Sequence, residues 1–453
     1  MTVDTRSTTA RLGAFVVSAA PPAAARGRAA AALLDTIGVT LAGASEPAAR
    51  IVQRAIAAEG GDACRVLGTS ARTSPTGAAL ANGTAAHALD FDDMCFVSLA
   101  HPSAPLVAAA LAAAELAGGS GSVLLDAYLA GFELEARLGR VMNPRHYQRG
   151  WHCTSTLGTI GAAAAASRLL GLDATACGHA LAIAASQASG LKENFGTMVK
   201  PLHAGLAARN GVLAARLANG GMTASDLAIE GPQGFLAAMD SENATLGNSV
   251  GDLGVRWEIL ESGITVKLYP SCAATHPSID AILDLRQRER FTADTVERIE
   301  IDVDSITPTV LIYERPASGL EAKFSMPFCA AAAVADGRVA IDTFETGRLR
   351  DPLIAALMLR VVMRVDSSLD AAGPPLTHAR VRIRLRDGRT LAQAANGARG
   401  YPERPASDDE LDAKFMACAR RTISEASAGR ALGMLRQIEK IDDVRALTDV
   451  LRA

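Results

Sequence analysis

Aromatic side chains make up only 4% of the 453 residues, and no stretch interleaves them with basic ones. With a formal net charge of −3 and no block of lysine or arginine, the chain lacks the electrostatic footprint of a nucleic-acid binder. The seven cysteines, at 64, 95, 153, 177, 272, 329 and 418, are odd in number and never form a CxxC pair. That pattern favours reduced thiols in a cytoplasmic protein over a disulfide framework or a zinc site. No run approaches the ~20 uninterrupted apolar residues of a membrane span. The best window, residues 105–117, is broken by Glu115. The apolar segment 12–20 is too short for a signal-peptide core followed by a cleavage region, and Asp4 stands where such a peptide carries basic charge. Also missing are GxxxxGK[ST], a strand-linked GxGxxG, HExxH and GxSxG. No nucleotide cofactor and no dedicated metal is therefore expected. The run Gly118-Gly119-Ser120-Gly121 before a helix reads as a turn rather than a phosphate cradle.

What the chain has in abundance is alanine within a 49% hydrophobic composition. Alanine is the best helix former and lets helices approach closely, so tightly packed helices are expected. The length calls for two domains. Helical periodicity dominates residues 8–58, 75–87, 104–117, 123–141, 154–170 and 173–187, and a helix with Pro201 as its first residue runs to 217. Residues 223–235 read as shorter helical pieces. The character changes near residue 263. Residues 295–304, 379–385 and 390–395 alternate like half-buried strands, the last two around an Asp387-Gly388 turn, and 361–365 adds a short strand. From 407 onward the pattern is helical again. The expected fold is mainly α: an all-helical domain over 1–265 completed by 401–453, with a smaller α+β lid domain over 266–400.

The chemistry-bearing residues lie on loops that enter these helices. In residues 87–103, three carboxylates (Asp90, Asp92, Asp93) precede His101-Pro102-Ser103. A histidine near carboxylates, held between packed helices, suits general acid/base work. Helix-capping aspartates beside an ordinary loop histidine fit the same stretch. Lys200-Pro201-Leu202-His203 puts an amine at a helix N-terminus, where unpaired N–H groups favour an anion. His152, after Trp151 and before a small-residue helix, is a second imidazole of this type. Lys267 to His276 sits at the change of character and offers a cation, the Cys272 thiol, hydroxyls and an imidazole.

Five motifs then agree in order along residues 10–450. They are Asp90-Phe-Asp-Asp93 with His101-Pro-Ser103; Gly150-Trp-His152 leading into Leu157-Gly-Thr; Lys200-Pro-Leu-His203; Lys267-x-Tyr-Pro-Ser-Cys with Thr275-His276; and Glu321-Ala-Lys-Phe-Ser325. With them the chain resembles the MmgE/PrpD family, which includes 2-methylcitrate dehydratases, cis-aconitate decarboxylases and iminodisuccinate epimerases. The resemblance implies a homodimer with a cleft between a helical domain and a lid, and no metal or organic cofactor. It places Asp90, His101, His152, Lys200 and Lys267 at active-site positions of the decarboxylase branch, with Tyr313 standing for an active-site tyrosine. Met94 stands where that branch has threonine and Cys272 where it has histidine, and the segment 90–101 is one residue longer.

The expected activity is that of a cofactor-independent lyase, a dehydratase or decarboxylase, moving protons at the carbon α to a carboxylate of a small di- or tricarboxylic acid. His101, oriented by Asp90, is the expected acid/base, with His152 beside it. Lys200, Lys267, His203, Tyr313, Met94 and Ser103 are expected to contact substrate, and Asp92 and Asp93 to act as caps. Epimerisation of an iminodisuccinate-like acid, with Cys272 on the opposite face, is the alternative, and a non-catalytic carboxylate-binding protein a further one. Substrate choice is expected to reside in residues 94–100.

Overall fold

The computed structural model describes residues 7–239, 246–370 and 377–453; Asp4 lies outside them. The architecture is mainly α. Ten helices lead from the N-terminus: α1 (Thr8–Ser18), α2 (Ala23–Gly43), α3 (Pro47–Ala57), α4 (Pro75–His87), α5 (Ser103–Ala117), α6 (Gly121–Met142), α7 (Arg145–Gln148), α8 (Cys153–Leu169), α9 (Ala174–Gln187) and α10 (Val199–Asn219). Several are buried on every side. In α5, for example, every residue from Ser103 to Glu115 is inaccessible. An all-round apolar helix of this kind belongs inside a bundle.

Small residues set the distances between these helices. Gly83 of α4 and Gly205 of α10 face one another, and a Cβ on Gly83 would lie 2.9 Å from the Gly205 Cα. A Cβ on Gly205 would meet the Leu80 carbonyl oxygen at 2.4 Å. This close approach brings His87, the last residue of α4, against Lys200 in the first turn of α10. The helix α10 starts at Val199, two residues earlier than the proline-based expectation, so Pro201 is its third residue. The 118–121 run is a turn: Gly118 caps α5 in the left-handed region and the Ser120 side chain caps α6. Residues 223–234 form turns rather than helical pieces, and only Phe235–Ala238 is helical there. Here Ser225 accepts from the Leu227 and Ala228 N–H groups and the Ala224 N–H donates to His179 Nδ1 at 3.2 Å, so turn and tertiary bonds replace helical ones.

A second core lies between a mixed sheet and the helices His276–Glu289 and Met326–Asp336. The sheet has strand order β4-β3-β5-β6, with β3 (Val296–Val303) parallel to β4 (Val361–Val365) and antiparallel to β5 (His378–Leu385), which pairs with β6 (Thr390–Asn396). The two-residue strands β1 (Cys64–Arg65) and β2 (Arg72–Thr73) form a separate hairpin; all strands are numbered in chain order. Alternation in β3 buries Ile299, Ile301 and Val303 as read from the sequence. After β6 the chain returns to the first core. Phe415, on the helix Asp408–Ala419, packs against Gly38 of α2, and Ala428, Ala431 and Leu435 join the same core. Among the described residues no helix is long and apolar enough to cross a membrane.

Candidate active site

The loop between α4 and α5 begins with a strained residue. Asp90 has φ 51°, a left-handed conformation uncommon for a residue with a side chain and typical of sites where the surroundings over-determine the backbone. What holds it is a pair of lysines. Lys200 Nζ donates to Asp90 Oδ1 at 2.6 Å, and Lys267 Nζ donates to Asp90 Oδ2 and to its backbone oxygen, each at 2.9 Å. Burial opposes ionisation of Asp90, but Lys200 and then Lys267 outweigh it and hold the carboxyl well below the usual range. The rings of Phe195 and Phe324 flank the Lys200 ammonium at 5.4 and 5.5 Å.

This geometry corrects the expected pairing. His101 lies 3.9 Å from Asp90 through Nε2 and 3.5 Å from Asp92 through Nδ1, so Asp92 is its nearer carboxylate. Nor is Asp92 a helix cap. Its Oδ2 accepts from His87 Nδ1 at 2.7 Å, while His87 Nε2 accepts from Lys200 Nζ at 2.7 Å. The two bonds together fix His87 as the neutral Nδ1–H tautomer. Asp93 does serve the helix start, accepting from the Ser103 backbone N–H at 3.2 Å and from the Ser103 hydroxyl. Burial pushes Asp93 up to about 8, against the hydrogen bond from Ser103.

His152 precedes α8, its backbone N–H bound to the Gly190 carbonyl. Its Nδ1 is 3.0 Å from His203 Nδ1, and its Nε2, although buried, has no protein partner among the described residues. Desolvation first, then Lys200, depresses His152; desolvation, then Lys267 and Lys200, depresses His101, both well below the normal imidazole range. His87 is lowered too, by burial above all, although Asp92 acts in the other direction. Two lysines balance two aspartates here, so a protonated imidazole would add an uncompensated buried charge.

The site opens into a cavity of about 770 Å³ lined at its buried end by Asp90, His101, His152, Lys200 and the half-buried Cys272. Met94 lines it too. The remaining expected residues lie elsewhere. Lys267 is wholly buried behind Asp90, and His203 backs His152. The Ser103 hydroxyl is occupied by Asp93 and by Tyr128 at 2.7 Å, so a substrate contact from it is corrected to a structural role. Tyr313 donates to the Phe195 carbonyl at 3.0 Å, outside the cavity lining. Cys272 has its thiol pushed up to about 11 by desolvation, with Asp90 adding to the effect.

Two contributors escaped the sequence reading. His87 stands inside the motif stretch but ends an alanine helix, and only the α4–α10 contact reveals what it touches. Lys323, in the Glu321–Ser325 motif, is buried and donates to the Leu89 and Pro270 carbonyls at 2.7 and 2.8 Å, tying the second core to the Asp90 loop. Burial lowers its pKa to about 8. The side chains of His87, Asp90, Asp92 and His101 offer ligand atoms within 4.8 Å of one another, close enough to consider a metal ion. Lys200, however, is hydrogen-bonded to two of these residues and Lys267 to one. A divalent cation would have to displace ammonium groups from its own ligands, so the donor set fits a metal poorly.

Fold and site together define an enzyme organised around buried acid–base groups. Residues 11–245 match the MmgE/PrpD N-terminal domain and residues 269–440 the MmgE/PrpD C-terminal domain, and the chain belongs to the MmgE/PrpD family. It is similar to the cis-aconitate decarboxylase of Homo sapiens, 29% identical over 393 residues that cover 84% of this chain and 80% of the relative. The Mus musculus cis-aconitate decarboxylase is 30% identical over 394 residues, covering 84% and 79%. That of Aspergillus terreus is 27% identical over 447 residues, covering 92% and 90%. The chain is an enzyme of the dehydratase/decarboxylase lyase type.

Proposed function

We propose that this enzyme transfers protons at the carbon α to a carboxylate of a small di- or tricarboxylic acid, by its own side chains alone. The observation that carries the proposal is the Lys200–Asp90–Lys267 group set beside His101 and the unpartnered Nε2 of His152. Lys200, in the first turn of α10, receives a substrate carboxylate where the helix N-terminus already favours negative charge. His152 Nε2 donates to a second carboxylate.

Binding a polyanion reverses the charge balance of the site. The imidazoles, held neutral by burial and the lysines, then gain a compensating charge, and His101 becomes protonated as substrate arrives. In decarboxylation the carbon–carboxylate bond breaks, CO₂ leaves, and the electron pair left behind takes the proton of His101. In dehydration it is His101 in its neutral form that acts: it removes the α-proton and hands it to the β-hydroxyl, which departs as water. Lys200 stabilises the charge that develops on the retained carboxylate in either case.

The α+β portion, residues 266–400, acts in this proposal as a lid over the helical portion, 1–265 with 401–453, in a cytoplasmic homodimer. Proton NMR of the enzyme with cis-aconitate, 2-methylcitrate and iminodisuccinate in D₂O tests the reading. Loss of CO₂ or water from one of these acids is expected. Deuterium exchange into recovered substrate without net loss would point to the epimerase, and binding of all three without any reaction would overturn the catalytic assignment.

A further inference from the structure

The cavity is larger and more apolar than a short polycarboxylate requires. At about 770 Å³ it falls within the roughly 300–1,000 Å³ of pockets that take drug-sized ligands. Asp90, His101, His152 and Lys200 gather at its buried end, while Arg140 and Lys192 stand near the mouth. Beside the polar Asn143, Gln148, Ser305, Thr309 and Thr377, the wall carries an apolar face of Met94, Val97 and Leu99 from the loop before α5, with Ile306 and Val310 at the short helix Thr307–Val310. Ile306 is 40% exposed and Met94, Val97 and Leu99 are half-buried, so in the free enzyme much of this apolar wall faces water.

The wall is a built feature. Cys95 and Ala100 pair in both directions, and Leu99 is held at φ 49°. Asn143 donates to the Ser98 carbonyl at 2.7 Å, and Ser98 packs so closely on α6 that a Cβ on Gly139 would lie 2.4 Å from its Cα. A strained turn locked from both sides keeps a fixed set of side chains turned to the cavity. The cations near the mouth are already engaged: Arg140 with Glu258 at 2.6 and 2.9 Å, and Lys192 with the Tyr147 carbonyl at 3.2 Å and its ring at 3.5 Å.

We propose that the substrate is a di- or tricarboxylic acid bearing a linear apolar substituent of several carbons, its carboxylates at Lys200 and His152 and its chain against Met94, Val97, Leu99, Ile306 and Val310. The inference rests on the lyase reading above and names the substrate class for the same site. Burying a methylene stabilises by ~0.8 kcal/mol, which is about fourfold in kcat/KM for each carbon that reaches the wall.

The test compares kcat/KM for cis-aconitate and for its homologues carrying one-, three- and five-carbon chains on the methylene carbon. A rise of about fourfold per added methylene is expected until the wall is covered. The variants Val97→Asp and Ile306→Asp should flatten that rise, so that kcat/KM no longer increases with chain length. Turnover of cis-aconitate with activity falling as the chain lengthens would overturn the inference and leave the lyase reading intact. If no member of the series reacts, and 2-methylcitrate is not dehydrated either, the lyase reading fails. Calorimetry with saturated alkyl-substituted tricarboxylates then still reads the wall: affinity that rises with chain length supports it, and flat or falling affinity overturns it.

Discussion

The Nε2 atom of His87 lies 2.7 Å from the Nζ atom of Lys200, while its Nδ1 atom lies 2.7 Å from Asp92. A buried imidazole therefore connects the carboxylate nearest His101 to the lysine at the head of α10. Lys200 reaches Asp90 with a second hydrogen bond and keeps its third proton for a ligand. His87 makes no cavity contact itself; it positions two groups that do or that stand beside them.

Replacing His87 with leucine should lower kcat/KM without unfolding the chain. The substitution removes two hydrogen bonds to charged groups, one to Lys200 and one to Asp92; the one to Lys200, which lines the cavity, is worth roughly 1.5–3 kcal/mol, so a loss of about 10- to 100-fold is expected. Steady-state kinetics with circular dichroism as the folding control checks it. Unchanged kcat/KM would remove His87 from the functional network.

His101→Asn should reduce turnover by on the order of 10² to 10⁴, the usual loss when a positioned acid/base is removed. The complementary observation is spectroscopic. Because burial and the neighbouring lysines depress His101 and His152, both rings should stay neutral from pH 7 down to pH 6 in the free enzyme. A bound, unreactive tricarboxylate should raise at least one into the protonated form at pH 7. Imidazole nitrogen NMR reads both states, and a ring that already titrates near 6.5 without ligand would contradict the charge account.

Lys267→Met should be costly to stability, because it strips a fully buried partner from a buried carboxylate. Breaking such a pair costs about 3–5 kcal/mol. Asp90 keeps Lys200, but two buried carboxylates then face one ammonium; adding Asp90→Asn removes that excess charge, so the double variant should recover part of the loss. Urea denaturation of the two variants measures the difference, and additive losses would show that the pair is uncoupled.

Asp93→Asn should flatten the pH dependence of stability. Asp93 holds its proton up to about pH 8 in the folded protein, whereas an unfolded aspartate ionises near pH 3.9. Between these values the native state binds the extra proton, so this group's contribution falls as pH rises, by up to about 1.4 kcal/mol per pH unit. Asparagine keeps an acceptor for Ser103 and cannot ionise. Relative to wild type, the variant should gain thermal stability from pH 5 to pH 8; a constant difference across that range would refute the assignment.

Much of the site was legible, but unevenly. The expected His101, His152, Lys200, Asp90, Met94 and Cys272 all reach one cavity. The loops that carry them were visible because Pro, Asp and Gly interrupt alanine-rich helical periodicity. The pairings among them were not visible. Asp90 was assigned to His101 because the two share a loop, yet two lysines from distant segments, 110 and 177 residues away, claim that carboxylate. Ser103, in the His101-Pro102-Ser103 motif, is expected to contact substrate, but Asp93 and Tyr128 saturate its hydroxyl. Residues 223–234 differ from expectation for another reason: their composition tolerates a helix, but turns closed at Ser225, Leu227 and Gly231 take its place while Ile229 enters the core.

By itself the sequence determined the mainly helical architecture, the alternating strands β3, β5 and β6, and membership of the family. Those follow from local periodicity, turn chemistry and motif order, which need no knowledge of what packs on what. Only the tertiary structure decided which carboxylate serves which cation, that His87 belongs to the site, and that apolar side chains from residues 94–99 and 306–310 share the cavity. Each depends on segments far apart in the chain meeting within a few ångströms, as where Gly83 and Gly205 let α4 and α10 close on one another. Hydrogen bonding and burial energies are set at that distance and carry no local signature.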